Sequence, residues 1–287
     1  MSDFMTTREV AQLLRVKERK IYDLVAREAI PYSKATGKLL FDRTKITDWM
    51  NKQTSGASAP ALIIAGSHDP LLEVAIRKSG AGLAVNWIGS ADGIDALKMS
   101  TACAAPIHIF EAETNSWNIK AVEERCDGLN VVLMSWARRQ RGLVINQDVK
   151  GKIQSFADLA GHKLVARQAG SGSQILFDHF CKQQNVESET LNFVTERYTE
   201  IDAILSIIDG SADVAFGLGY LAKQYGLDFV PLIWEQVDLL IDKSAYFDPA
   251  FQQLFDFCRS PDFFDISKTF TGYDISNLGR VHLNMRP

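Results

Sequence analysis

Three times in this chain, a short apolar run ends in glycine and serine and passes directly into a helix-like segment. Ala61–Gly66 leads through Ser67-His68-Asp69-Pro70 into a helix from Leu71 to Lys78. Leu83–Ile88 leads through Gly89-Ser90 and Gly93 into a helix reaching about Met99. Lys163–Arg167 leads through Gln168-Ala169-Gly170-Ser171-Gly172-Ser173 into a helix ending near Gln184. Apolar runs of five or six residues read as buried strands, and strand–turn–helix repeats of this length need parallel pairing with right-handed crossovers. The body of the chain is therefore predicted to be α/β. Its Gly-Ser turns lie at the carboxyl ends of the strands, where helix-start amides and hydroxyls favour an anion. The third turn is not a Walker loop, because no Lys follows at the required place, nor does it match a dinucleotide fingerprint.

Further elements follow the same logic. Ile107–Phe110 reads as a strand, and Arg141–Ile145 opens a second α/β set. Ile201–Asp209 reads as a helix, Ala212–Gly219 as a Gly-rich strand, and Leu227–Leu232 and Val237–Ile241 as two separate strands. Helices are expected at Pro249–Cys258 and near Pro261–Phe264.

The first 53 residues are different. They hold 11 Lys and Arg against 7 Asp and Glu, a balance of +4, whereas the remainder holds 20 against 28, or −8. The small, polar Thr54–Pro60 stretch reads as a linker. The expected organisation is residues 1–53, linker 54–60, and a body of 61–287. The body's lobe one is about 61–142 plus 236–287, and its lobe two is about 143–235. A small basic module joined to an acidic body suggests that only the former meets a polyanion.

Within the basic module, Thr6 or Thr7 caps a helix whose Val10, Leu13 and Leu14 form an apolar face. Glu18–Arg27 reads as a second helix with Ile21, Leu24 and Val25 inward. Ile30–Phe41 reads as a hairpin, and Arg43–Asn51 as a third helix with Ile46, Trp49 and Met50 inward. The segment Thr7-Arg8-Glu9-Val10-Ala11-Gln12-Leu13-Leu14, the Ile21-Tyr22 pair, Ile30-Pro31 and Asp48-Trp49 together resemble the excisionase/MerR-like winged helix-turn-helix family. One departure is Arg15, where that family has Gly. The resemblance implies double-stranded DNA as partner, with the second helix in the major groove. Charge and reach then place Arg19, Lys20 and Tyr22 toward base edges, and Lys17, Lys34, Lys38 and Arg43 toward phosphates.

The body resembles the type 2 periplasmic-binding-protein fold, in the branch of molybdate-binding-protein-like regulators. The matching residues span about 61–245. They include Gly66-Ser67-His68-Asp69-Pro70, Gly89-Ser90, His108, Asn118, Arg141-Gly142-Leu143-Val144, Arg167-Gln168, Gly170-Ser171-Gly172-Ser173, Ala212-Asp213 and Gly226–Leu232 with Glu235. This implies a small anion between two lobes, either molybdate, tungstate or a small carboxylate. Ser67, His68 and Ser90 would serve from one lobe, and Arg167, Ser171, Gly172, Ser173 and Tyr198 from the other. Glu200 stands where members commonly have His. It would repel a dianion unless it turns away or pairs with Arg197.

The combined expectation is a ligand-responsive transcriptional regulator, a homodimer or homotetramer. With no secretory leader and no apolar run of about 18–20 residues, the expected location is the cytoplasm, with no membrane partner. An enzyme or metabolite-binding protein on the same two-lobed fold is the alternative. The sequence contains no cysteine motif, metal-ligand spacing or Ser/His/Asp order to support catalysis. No cofactor, metal or catalytic residue is expected.

Overall fold

A computed structural model of the chain describes residues 4–34, 37–52 and 62–286. The chain separates into two compact units, Met1–Ala59 and Pro60–Pro287. The expected linker, 54–60, lies outside the described residues.

In the first unit, Thr6 caps the helix Thr7–Leu13. Its backbone N–H donates to Glu9 Oε2 at 2.7 Å, and its hydroxyl accepts from the Glu9 N–H, forming a capping box. The helix ends in a Schellman turn: Val16 N–H reaches Ala11 O at 3.0 Å, Arg15 N–H reaches Gln12 O, and Arg15 adopts φ 53°. The second helix, Glu18–Ala26, ends the same way with Glu28 at φ 52°. The third helix is Arg43–Lys52, and the Trp49 indole N–H donates to Ala29 O at 2.8 Å. Met5, Val10, Ala11, Ile21, Val25, Ile30, Phe41 and Ile46 form the core.

Two local expectations change here. Leu13 is 41% exposed. At 100° per residue, Val10, Leu14 and Ala11 span one arc and Leu13 falls outside it. Among the described residues, the expected hairpin closes through one bridge, Ser33 to Leu40. Strand Leu40–Asp42 pairs mainly with a strand not foreseen, Phe4–Thr6. Ala35 and Thr36, in the expected turn, lie outside the described residues.

The second unit is built on a ten-stranded sheet. On one side, Ile63–Gly66 pairs in parallel with Ala84–Trp87 and Ala104–Ile107. On the other, Lys163–Arg167 pairs in parallel with Asn192–Arg197 and Val214–Leu218. Joining them are two 15-residue antiparallel strands, Val131–Ile145 and Asp228–Asp242, in register from Asp228 opposite Ile145 to Asp242 opposite Val131. Helices including Pro70–Ser79, Ser90–Lys98, Gly172–Gln183 and Glu200–Ile208 connect the strands. The result is a mixed α/β, two-lobed architecture.

The strands expected at 227–232 and 237–241 are thus one strand. It bends at bulges between Pro231 and Ile233 and between Val237 and Asp238, but Trp234, Glu235 and Gln236 keep the ladder opposite Gln140, Arg139 and Arg138. The expected strand 107–110 divides into Ala104–Ile107 and the short Phe110–Glu111. After the helices Pro249–Cys258 and Pro261–Thr269, the chain adds two unforeseen strands, Tyr273–Asp274 and Val281–Asn284. Both pair with Val131–Ile145.

Each lobe has its own apolar core. One gathers Trp136, Phe251, Phe255 and Phe263, and the other Phe156, Phe177, Phe180 and Phe216. Between them lies a buried polar waist.

Candidate functional site

In the first unit, helix Glu18–Ala26 buries Ile21 and Val25. By helical rotation Arg19 lies nearly opposite Ile21, while Lys20 and Tyr22 lie on the two flanks. Lys17, Arg19, Lys20, Tyr22, Lys34, Lys38 and Arg43 are all exposed. Arg8, Arg15 and Lys17 line a shallow depression at the joint between the first two helices. Arg8 and Arg15 thereby lie beside Lys17 at that joint.

In the second unit, the polar waist starts from the run Arg138-Arg139-Gln140-Arg141, embedded in an otherwise apolar strand. Period-two alternation sends Arg139 and Arg141 to one face, where both are fully buried, and leaves Arg138 exposed. Glu235, on the paired strand, takes both. Arg139 Nε donates to Glu235 Oε1, and Arg141 Nε donates to Oε2 at 2.7 Å. Arg139 Nη1 also donates to Asp69 Oδ2 at 2.8 Å. Asp69 caps the helix Pro70–Ser79 through the Leu72 N–H and accepts from Trp136 Nε1 and Tyr273 Oη.

Arg141 then reaches Glu200. Its Nη2 is 2.7 Å from Oε1, and its Nη1 is 3.4 Å from Oε2. Arg167 Nη1 donates to the same Oε1 at 2.8 Å, and Ser173 Oγ lies 3.3 Å from it. Glu200 is 1% exposed. Burial alone would raise the Glu200 pKa, but the Arg141 and Arg167 guanidiniums outweigh it and hold the carboxyl well below the usual range. Glu235 behaves likewise: burial is opposed and overcome by Arg139 and Arg141. Burial depresses the His108 pKa despite Glu235 nearby, which keeps the ring neutral. Its Nδ1 lies 3.1 Å from Glu235 Oε2, out of line for a hydrogen bond.

The Glu200 pairing departs from expectation. Arg197, one of the two alternatives raised for Glu200, donates instead to Ser206 Oγ at 2.9 Å. The strand ends and helix starts bring Arg167, Ser173 and Glu200 together, a juxtaposition that spacing along the chain does not show.

Most of the expected ligand residues meet at this junction. Ser67 Oγ and Ser90 Oγ lie 2.8 Å apart, and Ser90 Oγ accepts from the His108 N–H. His68 Nδ1 accepts from the Glu200 N–H at 3.3 Å, while Nε2 lies 3.1 Å from Glu73 Oε2. This assigns Nε2 as the donor and ties one lobe to the other. Ser171 caps the helix Gly172–Gln183, its Oγ accepting from the Gln174 N–H at 3.1 Å. A Cβ at Gly172 would lie 2.5 Å from His108 O, so glycine here permits close approach of the lobes. Arg167 is fully engaged, its other donors on Arg197 O and Tyr198 O. Tyr198 contributes that carbonyl; the residue is 57% exposed and lines an outward depression with Glu196 and Asp202.

Arg139, Arg141, Glu200 and Glu235 were not among the expected ligand residues. The available signal was two arginines spaced i, i+2 inside an apolar strand. Four cysteines are buried thiols, and burial pushes Cys258 up to about 12 and Cys103 and Cys181 up to about 11. Neutral thiols of this kind are poor nucleophiles. Among the described residues, no His, Cys, Asp and Glu cluster is arranged for a metal, and no helix is long and apolar enough to cross a membrane.

Two joined lobes with a polar junction define a binding-protein architecture, and comparison with known families agrees. Residues 72–259 match the PBP superfamily domain, and residues 4–54 match a helix-turn-helix domain. The chain belongs to the PBP superfamily and carries an N-terminal helix-turn-helix domain. It is similar to the Bacillus subtilis (strain 168) protein YvgK, described as uncharacterized, at 23% identity over 97% of each chain. Among solved structures it is similar to an ABC transporter periplasmic substrate-binding protein from Coxiella burnetii, at 18% identity and TM-score 0.43, covering 74% of this chain and 98% of that one. A further similar structure is the ancestral amino acid-binding protein AncCDT-1, at 14% identity and TM-score 0.49, covering 72% and 93%.

Proposed function

We propose that this chain is a ligand-responsive transcriptional regulator. Its helix-turn-helix unit binds double-stranded DNA, and its PBP-superfamily unit senses a small anion, either molybdate, tungstate or a small carboxylate, between its lobes. It acts in the cytoplasm as a homodimer or homotetramer. The observation that carries the sensing half is the convergence of Arg141, Arg167 and Ser173 on a single buried carboxylate at the lobe junction. Three donors aimed at one planar anion, shielded from water, form an anion seat. The DNA half is supported by the helix-turn-helix match and the exposed cations on and beside the second helix. Signal transfer follows if the effector has different affinity for two arrangements of the lobes.

The reading is tested by a mobility-shift assay with the gene's own upstream region at two salt concentrations. Binding should weaken steeply as salt rises, and no binding at low salt would sink the DNA claim. A thermal-shift screen of molybdate, tungstate, sulfate and small carboxylates tests the sensor. A stabilising ligand whose effect survives Ser67→Ala, Ser90→Ala and Ser173→Ala would place the site elsewhere.

A further inference from the structure

The anion seat already has an occupant that belongs to the protein. The Glu200 carboxylate lies flat against the Arg141 fork, shares one oxygen with Arg167, and receives the Ser173 hydroxyl. Its backbone N–H meanwhile holds His68 of the opposite lobe. The buried charges at the junction are Arg139, Arg141 and Arg167 against Asp69, Glu200 and Glu235. Three positive charges face three negative ones, so the closed junction is formally neutral.

Resting on the anion-sensor reading, we infer that Glu200 is a tethered competitor for the seat, and that the effector is a small monocarboxylate that exchanges with it. The argument is one of charge and shape. A monocarboxylate entering as Glu200 swings out replaces one negative charge by another and keeps the junction neutral. It also presents the same planar pair of oxygens to Arg141. A tetrahedral dianion such as molybdate leaves the buried cluster at −1 if Glu200 leaves and −2 if it stays. Buried net charge is strongly disfavoured at such a site.

A second observation indicates that the exchanging molecule has polar groups beyond its carboxylate. Arg139, two residues from Arg141 on the same strand face, keeps a fully buried Nη2 with no hydrogen-bond partner. Gln168, on the turn that follows Arg167, keeps a buried Oε1 in the same condition. One spare donor and one spare acceptor suit a hydroxy-substituted acid, whose substituent adds no charge. The exchanging side chain belongs to a residue whose backbone N–H contacts His68 of the opposite lobe, so exchange takes place beside a contact between the lobes.

The test compares the full-length wild type with Glu200→Gln and Glu200→Ala by calorimetric titration and thermal shift. The probes are acetate, lactate, glycine, sulfate and molybdate. Removing the tethered charge leaves an unbalanced guanidinium pair. Both variants should therefore bind acetate and molybdate at least about tenfold more tightly than wild type. Acetate should also restore several degrees of the melting temperature lost in Glu200→Ala, and shift wild type by less. In wild type, monocarboxylates should bind in preference to molybdate and sulfate. Equal anion affinity in wild type and Glu200→Gln would overturn the proposal. So would preferential binding of molybdate by wild type, although in that case the anion-sensor reading would stand. If none of the three proteins bound any anion, the sensor reading would fail along with the proposal. Glu200→Gln keeps the side chain's shape and remains informative should the alanine variant not fold.

Discussion

Glu235 is the hub of the polar waist, and Glu235→Gln is the sharpest test of its role. The carboxylate is 0% exposed and is shared by the Nε donors of Arg139 and Arg141. The amide keeps the volume but removes the charge, and its NH2 must face one of those two N–H groups. Breaking a buried ion pair from one side costs about 3–5 kcal/mol, because the remaining charge is left uncompensated. In a domain of roughly 150–250 residues each kcal/mol moves the melting temperature by about 2–4 °C, so the expected fall is about 6–20 °C. Differential scanning calorimetry at neutral pH reads it directly. Asp265→Asn is the matched control. Its pair with Lys268 is mostly exposed, and such pairs are worth about 0–1 kcal/mol. Adding Arg139→Gln to Glu235→Gln rebalances the buried charge, so the double variant should be less destabilised than the two singles combined. A fall below about 3 °C for Glu235→Gln, or simple additivity with Arg139→Gln, would refute the account of a charge-balanced waist.

Other expected outcomes follow from the same geometry. Arg15 occupies a left-handed position that suits glycine, so Arg15→Gly should stabilise the first unit by about 1 kcal/mol in thermal denaturation. The same change should reduce the salt dependence of DNA binding by about one phosphate contact, as measured from mobility shifts across a salt series. Gly172→Ala puts a methyl 2.5 Å from His108 O and should cost about 1–3 kcal/mol by forcing the lobes apart, with a matching loss of effector affinity in titration. Acid should destabilise the protein in two stages, read by melting temperature against pH. His108 has a depressed folded pKa, so its contribution is complete above the ordinary imidazole value near pH 6.5 and declines as pH falls below it. Glu200 and Glu235 are also depressed, so their contribution is complete above about pH 5 and declines from there toward their low folded values. Replacing His108 with Asn should remove the first stage and keep the second.

Much of the architecture is legible in the amino-acid sequence. Apolar runs ending in Gly-Ser turns marked the parallel strands of both lobes, because strand length and helix capping are local properties. The first unit's helices were readable for the same reason: Thr6, Glu9 and the Ile21/Val25 spacing act within a turn or two of themselves. What failed was pairing at a distance. The strand Phe4–Thr6 exists because Leu40–Asp42 offers it an edge, and Val281–Asn284 because Val131–Ile145 does. Residues 227–241 looked like two strands because Trp234-Glu235-Gln236 interrupts the apolar pattern; the ladder with Arg138–Gln140 carries the strand through.

The candidate site divides along the same line. The amino-acid sequence by itself determined the Gly-Ser turns, the capping serines and the exposed cations Lys17, Arg19 and Lys20 at the start of the second helix, since each depends on neighbours a few residues away. It also set the charge division between a basic N-terminal segment and an acidic body. Only the tertiary structure decided the waist. Arg139 and Glu235 are separated by 96 positions, and Arg141 and Glu200 by 59. Whether a buried charge is a liability or half of a pair depends on which opposite charge the fold brings within about 3–4 Å, and Coulomb energy in a desolvated site is set by that distance rather than by distance along the chain.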